Sequence, residues 1–362
     1  MVPKQYRQLR KVLVDWYQHN QRNLPWRQTR DPYKIWISEV MLQQTQVNTV
    51  IPYYQRFLAG FPDIHDLAES GLQNVLKMWE GLGYYSRARN LHKTANIVVN
   101  DHAGVIPDSL TEIKKLPGVG DYIAAAVLSI AYNIPQPVVD GNVKRVFSRL
   151  FRIDAPVNDS KSHTVFKEKS HELMDSAMPA AYNQALMELG ALVCKPQNPH
   201  CPDCPLQSHC LAYKDDKIKE YPRRIKTKPI PKYAIAVGVV MKKGKVLITR
   251  RKDEGLLGGL WEFPGGRISP SESPETTCLR ILKTKVNLTV GAGTFVTRIK
   301  HAYTHFKITV DVFTCRYKAG RVKLNGPVDF RWIHLDEIEA YPLHKANHKF
   351  IPALRKIMKS SA

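Results

Sequence analysis

The chain has 362 residues, of which 43% are hydrophobic, so it is long and apolar enough for two domains with buried cores. Its 54 Lys and Arg against 32 Asp and Glu give a formal charge of +22, with 23 basic and 10 acidic side chains from residue 233 onward, so both halves favour a polyanionic partner. No apolar run approaches the roughly 20 residues of a membrane span, and residues 1–16 lack the apolar core of a signal peptide, which argues against membrane and secreted proteins.

The first part of the chain, to about residue 212, has the spacing of helices. Helix starts are predicted at Asp31, Asp108 and Asp121, where a carboxylate can cap the first turn. Apolar residues recur three or four positions apart in the segments 31–44, 72–82, 120–132 and 180–194.

The pattern changes near residue 233. Residues 221–232 are rich in proline and lysine, which is the composition of a linker. Two β-rich runs then flank a Lys-Lys-Gly turn within 233–251, the segment 273–286 is a helix candidate, and 306–317 alternates like a strand. We therefore predict a mainly helical domain at 1–215, a linker at 216–232 and a smaller α+β domain at 233–358.

One carboxylate stands in an otherwise apolar helical run, "WISEVMLQQT" (36–45). Ile35, Glu39 and Leu42 fall at i, i+4 and i+7, so Glu39 lies on the apolar face. A glutamate there is paired, protonated or functional.

Four of the six cysteines lie within seventeen residues, at Cys194, Cys201, Cys204 and Cys210. Four thiolates at this spacing can enclose a zinc ion or an iron–sulfur cluster, and spacing alone does not choose between them. His200 and His209 flank the set, but four sulfur ligands already complete a tetrahedron, so we interpret both histidines as bystanders.

The segment "LPGVGDY" (116–122) predicts a tight turn between helices. Gly118 and Gly120 allow positive φ and open backbone amides, which can hold a phosphate at a helix start. Further on, Asp140 follows an apolar run and precedes Gly141, so it can cap a helix that begins near Asn142.

Together these motifs resemble the helix–hairpin–helix glycosylases of the endonuclease III superfamily. The segments 24–27, 36–47, 79–91 and 189–194 narrow the resemblance to the MutY family of adenine DNA glycosylases. It implies one [4Fe–4S] cluster on Cys194, Cys201, Cys204 and Cys210 in a loop at 194–210. In that family the loop meets DNA phosphates, and Lys195 could serve there, although a solvated lysine is an equal alternative.

The resemblance also implies roles for the polar residues. Glu39, with a pKa raised by burial, would protonate adenine at N7 and later activate water. Asp140 would stay ionised and stabilise the sugar at C1′, with Tyr122 assisting and Asn142 positioning the carboxylate. Bifunctional relatives carry a lysine nucleophile where this chain has Tyr122, so we expect a monofunctional glycosylase.

Further residues match family positions that touch DNA. Gln44 and Tyr84 match residues that insert into the duplex, Gln44 from the same helix end as Glu39 and Tyr84 from a loop tip, although Tyr84 could simply pack beside Tyr85. Gly118 and Gly120 would contact the backbone. The residues matching the pocket for the extruded adenine are Trp26, Arg27, Leu42, Gln184 and Met187, although for Leu42 alone core packing is the favoured role.

The second domain resembles a Nudix domain, with Gly266, Glu272 and Arg280 at matching spacing. The box's later glutamate positions hold Ile281, Thr284 and Lys285, so oxygen ligands for magnesium are missing and we expect no pyrophosphate cleavage. It resembles the MutT-like domain that inspects 8-oxoguanine.

The family's recognition loop is usually Phe-Ser-His, and here it is Tyr303, Thr304 and His305. The hydroxyl and imidazole are retained, so polar readout of the lesion is expected. The alternative is a strand-end turn that contacts nothing.

We therefore expect a monomeric adenine glycosylase acting on double-stranded DNA with A:8-oxoguanine or A:G, in the nucleoid of a bacterial cytoplasm. A pyrimidine-mismatch glycosylase is the enzymatic alternative. A DNA-binding protein with a structural cluster and a Nudix hydrolase fused to a binding domain are the others.

Overall fold

The computed structural model describes residues 4–360, so the first three residues of the predicted 1–215 domain lie outside the described part. Two compact units are present. The first contains residues up to 68 together with 93–227, and the second contains 69–92 together with 228 onward. The predicted order of a mainly helical region followed by a smaller α+β region is confirmed, while the exact domain boundaries stay a prediction.

Helices account for the regular structure before residue 232 in the described chain. In chain order they are α1 Lys4–Asn20, α2 Pro32–Leu42, α3 Val47–Gly60, α4 Ile64–Glu69, α5 Leu72–Met78, α6 Ser86–Asp101, α7 Leu110–Ile113, α8 Asp121–Ile130, α9 Gly141–Leu150, α10 His163–Leu173, α11 Pro179–Leu192 and α12 Leu211–Lys214. Short 3₁₀ turns lie at Pro25–Arg27, Ser160–Ser162 and Gln207–His209.

Of the three predicted helix starts, Asp31 and Asp121 lie at the start of a helix, and Asp31 is the one that caps it. Asp31 caps α2, since its Oδ1 accepts from the amides of Tyr33 at 2.9 Å and Lys34 at 3.4 Å. Asp121 is the first residue of α8. The predicted start at Asp108 is wrong, because the backbone is still extended at Ser109, the N-cap of α7.

The core of the first unit lies where α11 packs against α1, α8 and α9. Phe147, Phe166 and Tyr182 are fully buried in it. Burying each such side chain stabilises the fold by roughly 1.5–3 kcal/mol, relative to leaving it exposed. This packing holds together α9, which follows Asp140, and α11, which precedes the cysteine loop, while α2 with Glu39 packs against α8.

The second unit is built on one mixed eight-stranded sheet. The strands are β1 Lys232–Lys242, β2 Lys245–Arg250, β3 Trp261–Glu262, β4 Gly265–Arg267, β5 Thr289–Val290, β6 Thr294–Ala302, β7 Lys307–Ala319 and β8 Asp329–Ile333. The main path runs β3-β2-β1-β7-β5, with β1 and β7 parallel and the other pairs antiparallel. β4 adds to β1, β6 to β7 and β8 to β2.

Helices cover both faces of this sheet. α13 (Pro274–Val286) packs Cys278 and Leu282 onto one face. On the other face, Phe350 and Leu354 come from the C-terminal helices α14 (Lys345–His348) and α15 (Ile351–Ser360) and their junction. Lys243 and Gly244 form the β1–β2 turn that the Lys-Lys-Gly pattern predicted, and both residues have positive φ.

Residues 69–92 belong to the second unit through specific hydrogen bonds. Gln73 donates to the carbonyl of Gly259 at 3.0 Å and accepts from the indole of Trp261 at 2.9 Å. Glu80 accepts from the backbone amide of Leu343 at 2.7 Å. These contacts fix the loop between α5 and α6, which carries Tyr84, against the C-terminal sheet.

Within residues 4–360 no helix is both long enough and apolar enough to span a bilayer.

Candidate active site

Glu39 is buried on α2, with 4% of its surface exposed. The Tyr122 hydroxyl, at the start of α8, donates to its Oε2 at 2.5 Å. Burial raises the pKa of Glu39 to about 7, because desolvation and the nearby Asp140 charge outweigh the hydrogen bond from Tyr122 and the charge of Arg27. The carboxyl can therefore hold a proton at neutral pH, as expected from its place on the apolar face.

Asp140 caps α9 and is bound by its own turn. Its Oδ1 accepts from the amide of Val143 at 2.7 Å, and its Oδ2 accepts from the Asn142 side chain at 2.8 Å. Burial raises the pKa of Asp140, while these hydrogen bonds and Arg145 oppose the rise by stabilising the carboxylate. One carboxylate thus accepts both the capping bond from Val143 and the bond from Asn142.

Tyr122 lies close enough to Glu39 and Asp140 for the charges of both carboxyl groups to act on its phenol. Its phenol also approaches the sulfur of Met187 at 3.7 Å. Burial and the charges of Glu39 and Asp140 raise its pKa well above the usual range, so the phenol stays a donor.

The hairpin before Tyr122 differs in detail from the expectation. Gly118 has φ +79°, in the left-handed region that favours glycine, whereas Gly120 is extended with φ −89°. Gly120 is the N-cap of α8 and offers no side-chain cap to its first amides. These amides suit an anion such as a phosphate.

The predicted pocket residues come from three elements. Trp26 is buried in the Pro25–Arg27 turn and packs edge-on against Tyr54, with ring centroids 5.4 Å apart. Leu42 and Met187 are half-buried, at the end of α2 and on α11. The side-chain amide of Gln184 donates to the carbonyl of Ala180 on its own helix at 3.2 Å.

Arg27 has a partner that the sequence interpretation missed. Glu188, on α11, accepts from both terminal nitrogens of Arg27, at 2.9 and 2.7 Å, and also from the guanidinium of Arg22. Burial raises the pKa of Glu188, but the hydrogen bonds from Arg22 and Arg27 outweigh this effect and lower the pKa to about 2. The sequence does contain a signal for Glu188, because it is a single carboxylate in an apolar helical run, as Glu39 is.

Gln44 does not lie on the helix that carries Glu39. α2 ends at Leu42, two residues before the predicted 31–44 segment ends, and Gln44 is exposed in the following turn with φ +56°. The left-handed backbone there breaks the helix. Gln44 and Glu39 are therefore neighbours in sequence without sharing a helix end.

The four cysteines of the predicted cluster line one largely apolar cleft. Burial raises the pKa of Cys204 to about 12, so this thiol needs a cationic centre to ionise at neutral pH. The guanidinium of Arg149 donates to the sulfur of Cys194 at 3.3 Å. Four thiols around one cleft with an arginine beside them fit an iron–sulfur group.

Further polar side chains lie around this cleft. Among residues 4–360 no three His, Cys, Asp or Glu side chains converge closely enough to hold a single metal ion. His200 and His209 flank the cysteines, and the half-buried Lys195 places its ammonium 3.5 Å from the His200 ring. Arg145 joins this region to Asp140, since it donates to Asn142 and to the carbonyl of Cys194.

In the second unit the predicted recognition residues form the turn between β6 and β7, closed by the Tyr303 amide on the carbonyl of Phe306 at 2.8 Å. Thr304 and His305 are exposed. The hydroxyls of Thr304 and Tyr84 lie 2.5 Å apart. The turn thus borders an open cavity of about 1110 Å³ that Tyr84 also lines.

The Nudix-like region holds Ile281, Thr284 and Lys285 where a Nudix box has its later glutamates. Arg280 forms a bidentate pair with Glu272, at 2.7 Å for both bonds. Lys285 instead donates to the carbonyl of Gly265 at 2.7 Å. A cation in the ligand position repels a divalent metal ion, so these residues do not fit a magnesium site.

Two known protein families match the chain, one in its helical region and one in its α+β region. The model of the HhH-GPD superfamily of base excision DNA repair proteins matches residues 37–172, and that of the NUDIX domain matches 236–353. The chain is 35% identical to the adenine DNA glycosylase of Mus musculus, covering 91% of this chain and 74% of the mouse protein. It is 39% identical to that of Buchnera aphidicola subsp. Baizongia pistaciae, covering 70% and 72%.

Solved structures are similar to the helical part. A thermostable thymine-DNA glycosylase matches with a TM-score of 0.54 and 29% identity, covering 59% of this chain and 98% of the other. A trapped endonuclease III–DNA covalent intermediate matches with a TM-score of 0.51 and 25% identity, covering 60% and 99%.

Proposed function

The chain belongs to the adenine DNA glycosylase family and is a DNA glycosylase of base excision repair, and from that premise we propose that it releases adenine mispaired with 8-oxoguanine or guanine. It binds DNA, in keeping with its formal charge of +22. We further propose that it works as a monomer and leaves an abasic site.

The observation that carries the proposal is the pair of carboxyls with different environments. Glu39 has a pKa of about 7 and a phenol donor on one oxygen, so its other oxygen can present a proton to the base. We assign Glu39 the protonation of adenine N7. When the bond from C1′ to N9 breaks, its electron pair goes to the protonated base, and the Glu39 carboxylate then takes a proton from the attacking water.

Asp140 supports the other half of the reaction. Burial raises the pKa of Asp140, but its three hydrogen bonds oppose that rise by stabilising the carboxylate. We propose that the carboxylate is the acting form and that its negative charge stabilises the oxocarbenium-like sugar. Asn142 orients one of its oxygens. Tyr122 has a phenol where a strand-cleaving relative would need an amine, which supports a monofunctional reaction.

The remaining predicted residues are proposed to bind the extruded adenine and to contact the DNA duplex. We propose that Trp26, Arg27, Leu42, Gln184 and Met187 line the adenine pocket. Gln44, Tyr84, Gly118, Gly120 and Lys195 are proposed to contact the DNA. Extrusion costs a few kcal/mol, which wedging side chains such as the exposed Gln44 help to offset.

Recognition of 8-oxoguanine is proposed for Tyr303, Thr304 and His305. The Tyr84 hydroxyl beside that of Thr304 supports this, because the proposed wedge and the proposed readout residue then act on the same base. The exposed Thr304 and His305 side chains carry a hydroxyl and an imidazole, which are groups that hydrogen-bond to a base edge.

The assay that tests the function measures release of free adenine from a panel of duplexes. We expect release from A:8-oxoguanine and A:G, none from A:T, and abasic products that break only after alkali treatment. Release of thymine or uracil from mispairs with guanine would contradict the substrate assignment. Duplex binding with no base released would contradict the enzymatic one.

We propose that Cys194, Cys201, Cys204 and Cys210 hold one [4Fe–4S] cluster. When bound, the cluster would order the loop 194–210 and supply no step of the glycosidic reaction. Arg149 beside Cys194 would stabilise the thiolate charge.

Cys204→Ser is expected to lose iron and the broad visible absorbance, and to weaken DNA binding, because ligand removal also removes the folding energy that the cluster supplies to the loop. Iron and sulfide analysis of the purified protein measures this directly. Cys278→Ala, in the second unit, is the matched control and should retain full iron content. A colourless, zinc-loaded wild type prepared without oxygen would contradict the cluster.

A further inference from the structure

Glu188 is a buried carboxylate that the proposed mechanism leaves without a role. It is 1% exposed on α11. It accepts from the backbone amide of Arg22 at 2.9 Å, from Nε and Nη2 of Arg22 at 2.9 and 2.7 Å, and from both terminal nitrogens of Arg27 at 2.9 and 2.7 Å.

This carboxylate cannot exchange protons near neutral pH. The hydrogen bonds from Arg22 and Arg27 overcome the effect of burial and hold its pKa at about 2. Both oxygens are also occupied by donors. Any influence on the reaction must pass through the arginines it binds.

Arg27 is the arginine that faces the candidate site. Its side chain is 11% exposed, whereas that of Arg22 is 33% exposed. Nη1 of Arg27 also donates to the carbonyl of Arg22 at 3.0 Å, and the guanidinium lies 5.4 Å from the centroid of the Tyr17 ring. A guanidinium held at both terminal nitrogens cannot rotate away without breaking buried hydrogen bonds.

The charge of Arg27 acts on Glu39. The groups that act on Glu39 are the Tyr122 hydroxyl from α8, the Asp140 carboxyl ahead of α9, and Arg27 from the 3₁₀ turn. Of these, Arg27 is the cation, and it favours the ionised form of Glu39. Glu188 offsets this effect, because the two guanidiniums and one carboxylate carry +1 together and would carry +2 without it.

We propose that Glu188 is a positioning residue for adenine release: it holds Arg27 against the pocket and offsets the arginine charge there. The inference rests on the proposed function. Removal of the Glu188 charge should then change the proton affinity of Glu39 as well as the placement of Arg27. A purely structural carboxylate would change only the amount of folded enzyme.

The test is the pH profile of single-turnover adenine release from A:8-oxoguanine duplex. Glu188→Gln is expected to slow release at least tenfold at pH 7.5 and to move the midpoint of the alkaline limb to lower pH. The two uncompensated guanidiniums would stabilise ionised Glu39, so the acid form is lost earlier as pH rises. Rates are normalised to the active fraction, titrated with DNA.

Two matched variants separate charge from placement. Glu188→Asp keeps the charge on a shorter side chain, so its midpoint should stay at the wild-type pH while the rate falls about fivefold or more. Arg22→Gln removes the outer guanidinium and keeps the Arg27–Glu188 pair, so its midpoint should not fall. If Glu188→Gln does not fold, Glu188→Asp and Arg22→Gln still test the inference.

An unchanged or raised midpoint in folded Glu188→Gln would overturn the inference, as would a Glu188→Asp rate equal to wild type. Wild-type protein that releases no adenine would instead overturn the proposed function. The two failures are therefore distinguishable within one set of measurements.

Discussion

Glu39→Gln is expected to lower the single-turnover rate of adenine release by about 10³-fold or more, in line with the loss of a general acid that also activates water. The amide keeps the size of the side chain and can still accept from Tyr122, whose hydroxyl lies 2.5 Å from Oε2. Its N–H protons are not acidic enough to be given to the base. The measurement is free adenine released under excess enzyme.

The pH dependence of the wild type follows from the same residue. The pKa of Glu39 is raised to about 7 from an ordinary value of 4.5, so the acid form predominates below pH 7 and is lost above it. The rate should therefore fall as pH rises through about 7. In Glu39→Gln that alkaline limb should be absent from whatever activity remains.

Binding supplies the control for this variant. Glu39 is buried and its pKa is about 7, so below that pH the neutral amide replaces a mostly neutral acid and affinity for mispaired DNA should remain within a few-fold. Adenine release by Glu39→Gln at a wild-type rate would remove Glu39 from the mechanism.

Asp140→Asn is expected to lower the rate by about 10² to 10³-fold, since a charge aimed at the developing oxocarbenium ion is lost. The folded state should be almost unaffected. Asparagine caps helices as well as aspartate does, so the bond from the Val143 amide can persist at the start of α9. The measurement is the single-turnover rate beside a thermal unfolding curve.

Asp140→Ala is the matched variant. It should lose the charge and the cap together, and so cost about 1 kcal/mol of stability in addition to activity. Equal activity in Asp140→Asn and wild type would leave the carboxylate as a cap alone. The effects of Glu39→Gln and Asp140→Asn should not add, because both act on one reacting bond.

Patterns confined to short stretches were predictable from the amino-acid order. Glu39 on an apolar helix face, the spacing of the four cysteines and the absent carboxylates at Ile281, Thr284 and Lys285 are each visible within one element or loop. Burial of Glu39 then follows, since the face that carries it must pack inward. The raised pKa is a consequence of the same placement.

Periodicity and turn motifs did not predict the end of a helix or the backbone angles of a turn to the residue. The predicted helix over 31–44 stops at Leu42, and Gln44 lies in a left-handed turn. Gly118 alone takes positive φ in a hairpin where both glycines were predicted to allow it. Helix ends depend on a few hydrogen bonds of similar energy, so periodicity places them only approximately.

Pairings between distant segments required the tertiary structure. Tyr122 reaches Glu39 across 83 positions, Glu188 reaches Arg22 across 166, and Tyr84 reaches Thr304 across 220. Side-chain periodicity indicates which face of a helix is buried, but not which side chain of another element it meets there. That choice depends on how whole helices and sheets pack, because buried polar groups must find partners wherever the packing brings them.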